Sequence, residues 1–133
     1  MAQTANYVGT PNVGIGQATV ANTNRDGTGT LATIFTAGAS GGRIDKLDCQ
    51  AVATTTAGML RFFMFDGTNS RLFYELPVAA VTPSGTAPAW RATLSEDAIA
   101  QELFPIILEA TEQLRVSTNN AETFNIIATG GNF

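Results

Sequence analysis

The densest apolar stretch of the chain, Met59 to Val78 (MLRFFMFDGTNSRLFYELPV), alternates in the manner of a β-hairpin. Two alternating runs flank Asp66-Gly67-Thr68-Asn69-Ser70, a cluster of turn formers. A five-residue loop there predicts Phe65 opposite Arg71, Phe63 opposite Phe73 and Arg61 opposite Glu75 on one face. On the other face, Leu60, Phe62 and Met64 meet Leu76, Tyr74 and Leu72. A slip of one residue would set Arg61 against Leu76 and Phe62 against Glu75, so the pattern itself argues for the register. The Leu60 face is wholly apolar and is expected on the core. The Phe63 face carries Phe63, Phe65 and Phe73 with Arg61, Arg71 and Glu75, too apolar for free solvation and too charged for a dry core. Two readings follow. A second sheet, loops or terminal segments cover it, or it is a subunit interface whose anchors are Arg61, Phe63, Phe65, Arg71 and Phe73.

Strand signals recur at regular spacing through the rest of the chain. Thr30 to Thr36 alternates Leu31, Thr33 and Phe35, and Arg43 to Thr54 sets Leu47, Cys49, Ala51 and Ala53 against Lys46, Asp48 and Gln50. Trp90, Ala92 and Leu94 share a face, as do Leu114 and Val116, and Phe124, Ile126 and Ala128. Ser95 followed by Glu96 and Asp97 predicts the N-terminus of one short helix that Pro105 stops. The expected fold is all-β, a jelly-roll-like antiparallel β-sandwich of about eight strands with one short helix and an extended N-terminal arm. Residues 1–28 form that arm, with a possible edge strand at Gln17 to Asn22, and residues 29–133 form the sandwich domain. The arm has too few large apolar side chains to fold alone. Its spaced Tyr7, Val13 and Ile15 are candidate contacts, either in a frayed terminus or in an arm that orders on a neighbouring subunit.

Composition narrows the function. A chain of 133 residues and 13.9 kDa is expected to be one complete domain with its own core. Net charge of −4, a pI near 4.5 and a single lysine, Lys46, argue against nucleic acid as a partner. No apolar run is long enough for a membrane span, and the N-terminus lacks the layout of a secretory signal, so the protein is expected in solution. Cys49 is the sole cysteine, expected as a small buried hydrophobe. There is no histidine, which removes the commonest general base and metal ligand. Asp45 and Asp48 fall on opposite faces of a strand, and Glu96 and Asp97 are accounted for by capping. Asp66 is expected to close its own loop, with calcium ligation as the alternative. Gly14-Ile15-Gly16 lacks the third glycine and the preceding strand of a dinucleotide fingerprint. Ser95, Ser117 and the threonines have no histidine to activate them, and a Ser-Lys pair would have to use Lys46. No enzyme activity and no cofactor are expected.

Several runs carry a resemblance: Ala21 to Thr30 (ANTNRDGTGT), Phe65-Asp66-Gly67-Thr68-Asn69, Pro77-Val78 with Thr82-Pro83-Ser84, and Ser117-Thr118-Asn119 through Glu122-Thr123-Phe124-Asn125 to Gly130-Gly131. Over most of residues 20–133 the chain resembles a family of small virion proteins of tailed bacteriophages. That resemblance implies a structural role, as a head decoration or cement protein that binds outside the major capsid protein and braces the shell against internal DNA pressure. It further implies a capsid-surface location after synthesis in the host cytoplasm, and self-association, a trimer being preferred and a dimer possible. The alternatives are a tail or head-tail connector component, and a carbohydrate- or receptor-binding jelly-roll module that would use Trp90, Tyr74 and the 66–70 loop.

Overall fold

The computed structural model describes residues 9–133. The strands are β1 (Thr10–Ala18), β2 (Ala32–Thr36), β3 (Gly42–Ala51), β4 (Gly58–Phe65), β5 (Ser70–Val78), β6 (Arg91–Ser95), β7 (Ile106–Leu108), β8 (Gln113–Thr118) and β9 (Phe124–Asn132). They form two antiparallel sheets that pack as a sandwich. One has the order β1-β9-β3-β6, with β7 also pairing with β3; the other has the order β2-β8-β4-β5. With the three-residue β7 set aside, the two orders are those of a jelly roll, in which successive strands cross between sheets apart from the β4-β5 hairpin. The all-β sandwich read from the sequence is thus the observed fold.

Alternation builds the core. Leu47, Cys49 and Ala51 of β3, Ala92 and Leu94 of β6, and Phe124, Ile126 and Ala128 of β9 face Leu60 and Phe62 of β4 and Leu114 and Val116 of β8, all buried. Burying a side chain such as Phe62 or Leu114 stabilises the fold by roughly 1.5–3 kcal/mol. Trp90 closes one end of this core edge-on against Phe124, with ring centroids 5.7 Å apart.

Three bulges modify the simple pattern. In β2, Ile34 is the extra residue between the pairs Thr33–Arg115 and Phe35–Leu114, so that Ile34 and Phe35 are both buried. In β3, the extra residue is Asp45, whose carboxylate pairs with Arg43. The third lies in the hairpin. Leu60–Leu76, Arg61–Glu75 and Phe62–Tyr74 pair as expected, but Phe63 then meets Leu72, Met64 meets Arg71 and Phe65 meets Ser70. Phe73 is therefore the bulged residue, turned onto Phe62 with centroids 6.5 Å apart, and the loop has four residues, closed by Asp66 N–H donating to the Asn69 carbonyl at 3.2 Å.

The expected helix after Ser95 is absent. Ala98 N–H donates to the Ser95 carbonyl in a turn, Ile99 bridges back to Leu94, and Ala100 adopts φ 61°, leaving only a 3-10 turn at Gln101–Leu103. A stretch this short gains too few hydrogen bonds to offset helix nucleation, and the β-branched Ile99 is used better as an extension of the β6 edge. At the other end of the chain, the edge strand lies earlier than Gln17 to Asn22: β1 pairs with β9 over all nine of its residues, from Thr10–Asn132 to Ala18–Phe124. No helix among the described residues is long and apolar enough to cross a membrane.

Candidate interaction surface

The sandwich has two outer faces, and the sequence-predicted contact residues divide between them. On the β2-β8-β4-β5 sheet, strand alternation turns Arg61, Phe63 and Phe65 of β4 and Arg115 and Ser117 of β8 away from the core. Arg61, Phe63 and Ser117 are nevertheless buried, Phe63 completely. Their cover is the chain itself. After β1, residues 21–30 loop over this face, reaching from the Thr118 end of β8 to the Ser70 end of β5 before returning to β2. Asn22 N–H donates to the Thr118 carbonyl at 2.8 Å. Gly27, at φ 88°, lies so close to the Ser70 backbone that an added Cβ would collide with its carbonyl oxygen.

This strap is shaped by its own side chains. The Asn22 amide nitrogen donates to the Thr28 and Thr30 carbonyls at 3.0 Å each, and its oxygen accepts from Asn24 N–H at 3.0 Å. Asp26 accepts from both the N–H and the hydroxyl of Thr28. These bonds hold the Asp26 carboxyl below its usual range, the Thr28 hydroxyl first among them. Arg25 then fastens the strap to the sheet: its Nε lies 2.7 Å from Oε2 of Glu75, the same oxygen that Arg61 Nε meets at 2.8 Å. Arg61 also donates from Nη1 to Asn119 Oδ1 at 3.0 Å, so the buried guanidinium is held at both Nε and Nη1. Arg25, and after it Arg61, depresses the Glu75 pKa.

An interface built from Arg61, Phe63, Phe65, Arg71 and Phe73 is therefore not what the fold presents. Phe63 and Arg61 are sealed beneath the strap, Phe73 leans on Phe62, and Phe65 is half-buried with the Arg115 guanidinium 3.5 Å from its ring centroid. Of the five, Arg71 alone is exposed. Covering this face by a segment of the same chain was the other reading of its mixed composition, and it is the one the structure bears out.

The opposite sheet presents a different surface. Val13 and Ile15 of β1 project outward, 52% and 75% exposed, and Ile15 is the direct ladder partner of Ile127 on β9, itself 38% exposed. Thr129, opposite Val13, extends the strip. Tyr7, the remaining sequence-predicted contact, lies outside the described residues. Ile127 was missed by sequence reasoning although its signal was present: once Phe124, Ile126 and Ala128 are assigned to the core, Ile127 must face outward. Farther across this sheet Ile107 of β7 is also exposed, while the outer side of β3 and β6 is polar and self-paired. Asp48 accepts from Thr93 Oγ1 at 2.8 Å and lies 3.3 Å from both Lys46 and Arg91. Burial raises its pKa, but those three hydrogen bonds outweigh it and leave the carboxyl lowered.

The strip sits at the rim because of glycine. A Cβ at Gly14 would collide with the Ile34 carbonyl, and one at Gly16 with the Ile34 side chain. The inner side of β1 thus rests directly on the backbone of β2 and pinches the sandwich shut.

The other candidates for chemistry resolve into structure. Cys49 is fully buried, and burial, with Asp48 nearby, pushes its thiol up to about 12, so it is a protonated core side chain at neutral pH. Asp66 accepts the N–H groups of Asn69 and Thr68 at 2.8 and 2.9 Å, which closes its own loop and lowers its pKa. No group of three His, Cys, Asp or Glu side chains among the described residues could hold a metal ion. A hollow of about 350 Å3 beside Arg43, Asp45, Lys46, Ser95, Glu96 and Asp97 carries charges of both signs, with Arg43 and Asp45 already paired. Tyr74 packs on Phe62 at 6.2 Å and Trp90 on Phe124, so neither ring stands free as a stacking platform. Comparison with protein-family models, with curated proteins and with solved structures finds no match.

Proposed function

We propose that this chain is a non-enzymatic head decoration protein of a tailed bacteriophage, binding the outside of the major capsid protein and stabilising the shell. The observation that carries the reading is the division of the two outer faces. One is closed by the chain's own strap, while the other offers Val13, Ile15 and Ile127 as an apolar strip at the sandwich rim. A protein that works by contact needs such a surface on a rigid body, and a jelly roll supplies the body; the same architecture recurs in viral capsid domains. The turn and strand residues of Ala21 to Thr30 and of Ser117 to Gly131 add the family resemblance. The carbohydrate-binding alternative is the weaker, because Trp90 and Tyr74 are spent on core packing.

Cementing acts by mass action, each bound copy favouring the assembled state. The test is co-sedimentation of the purified protein with heads that lack it, quantified as copies per shell. Hundreds of copies together with increased heat stability of the heads is the expected result. Binding in a small ring of copies would move the protein to the tail or connector, and no binding would reject a virion-surface role.

A further inference from the structure

Four strands lie at the lateral edges of the two sheets, and three of them are blocked against further pairing. β5 carries Arg71, Glu75 and Pro77 and the bulge at Phe73. β6 is five residues long, and its end is capped by the returning chain, with Ser95 N–H donating to the Ile99 carbonyl and Ile99 N–H to the Thr93 carbonyl. β2 is also five residues long and is bulged at Ile34. These are the usual means by which a soluble protein keeps sheet edges from pairing with another chain. β1 has none of them beyond Pro11 near one end. It runs for nine residues in unbroken register with β9, contains no charged side chain, and among the described residues pairs with no strand on its other side.

We propose that β1 is a pairing edge for a second copy of this chain, the two β1 strands running antiparallel about a two-fold axis at Gly14. The occupant follows from the strand's own sequence. Centring on Gly14 pairs Thr10 with Ala18 of the second copy and so uses the whole strand. The same register sets Val13 opposite Ile15 of the second copy, twice over by symmetry. Moving the centre to Val13 would oppose Ile15 with Pro11, and moving it to Ile15 would oppose Val13 with Gln17; both shorten the ladder. In the centred register the two outer strips merge into one apolar band, running from Ile127 through Ile15 to Val13 and Thr129 of the second copy and repeated by the two-fold. The side chains of that band still face outward, so pairing at the edge leaves the face free for a different partner. The pairing stands apart from the decoration reading and is tested without capsids.

The experiment is analytical ultracentrifugation of the full chain, of Ile15→Lys, of Val13→Glu and of an equal mixture of the two variants. Both positions are exposed, and circular dichroism checks the fold of each variant. The wild type sediments as a dimer, and each variant alone dimerises about tenfold or more weakly through loss of both Val13–Ile15 pairs. The mixture recovers association, because Lys at 15 on one chain then faces Glu at 13 on the other. Hydrogen exchange on the wild type adds a reading that needs no variant: β1 amide protection falls on dilution while that of β4 does not. A monomer at the highest soluble concentration, a trimer, variants that associate like the wild type, or a mixture no tighter than its components would each overturn the proposal.

Discussion

On the outer face of the β2-β8-β4-β5 sheet, Phe63 and Arg61 lie beneath the chain's own residues 21–30, whereas on the β1-β9-β3-β6 sheet Ile15 and Ile127 stand outward with no such cover among the described residues. Both faces carry large apolar side chains beside charged ones, so composition alone does not separate them. What separates them is a strap of Asn, Thr, Gly and Asp with hardly an apolar side chain. It binds through backbone and amide hydrogen bonds and one arginine, Arg25. Apolar residues outside the core therefore sit in two settings here: under the strap they are buried and add stability, and at the rim they are exposed.

The sharpest way to break this comparison is Phe63→Ala. Removing a wholly buried ring should cost about 3–5 kcal/mol in chemical denaturation. A loss below about 0.5 kcal/mol, the range of ordinary surface substitutions, would mean that the strap does not bury this face. Gly14→Ala comes next. Its Cβ must displace the Ile34 backbone rather than a flexible side chain, so a loss of about 2 kcal/mol is expected, measured in the same way. Glu75→Gln tests the fastening of the strap. Because Arg25 and Arg61 depress the Glu75 pKa, the stability it contributes is complete above the ordinary glutamate range and lost as pH falls through that range toward the depressed value. The wild type should therefore lose melting temperature between about pH 5 and pH 3 more steeply than the variant; parallel curves would remove Glu75 from the latch. The smallest effect belongs to the open face: Ile127→Asp, on β9 and outside the β1–β1 ladder, should alter stability by no more than about 1 kcal/mol, checked by thermal melting.

Strand periodicity carried most of the fold. Leu47, Cys49 and Ala51, then Leu114 and Val116, then Phe124, Ile126 and Ala128 alternate cleanly and are buried where expected. The bulges were not legible, because an extra residue such as Ile34 or Phe73 looks like ordinary alternation until its partner strand is known. The strap was not legible for a related reason. Its attachment runs through the backbone of Asn22 and Gly27 to residues some forty to a hundred positions away, and such contacts leave no hydrophobic period. The 95–103 segment showed a helix's capping residues without the length to sustain one. Val13 and Ile15, candidate contacts in the sequence, stand outward on the edge strand β1. Phe63 and Arg61 misled because a half-apolar strand face reads alike whether a partner or the same chain covers it.

The most direct test of the proposed contact surface is co-sedimentation of the Ile127→Asp variant, altered on β9 and outside the β1–β1 ladder, with heads that lack the protein, beside the wild type. If the open face is the contact surface, a variant with near-wild-type melting temperature leaves the heads bare while the wild type decorates them. Attachment of the variant in the same copy number as the wild type would contradict that assignment.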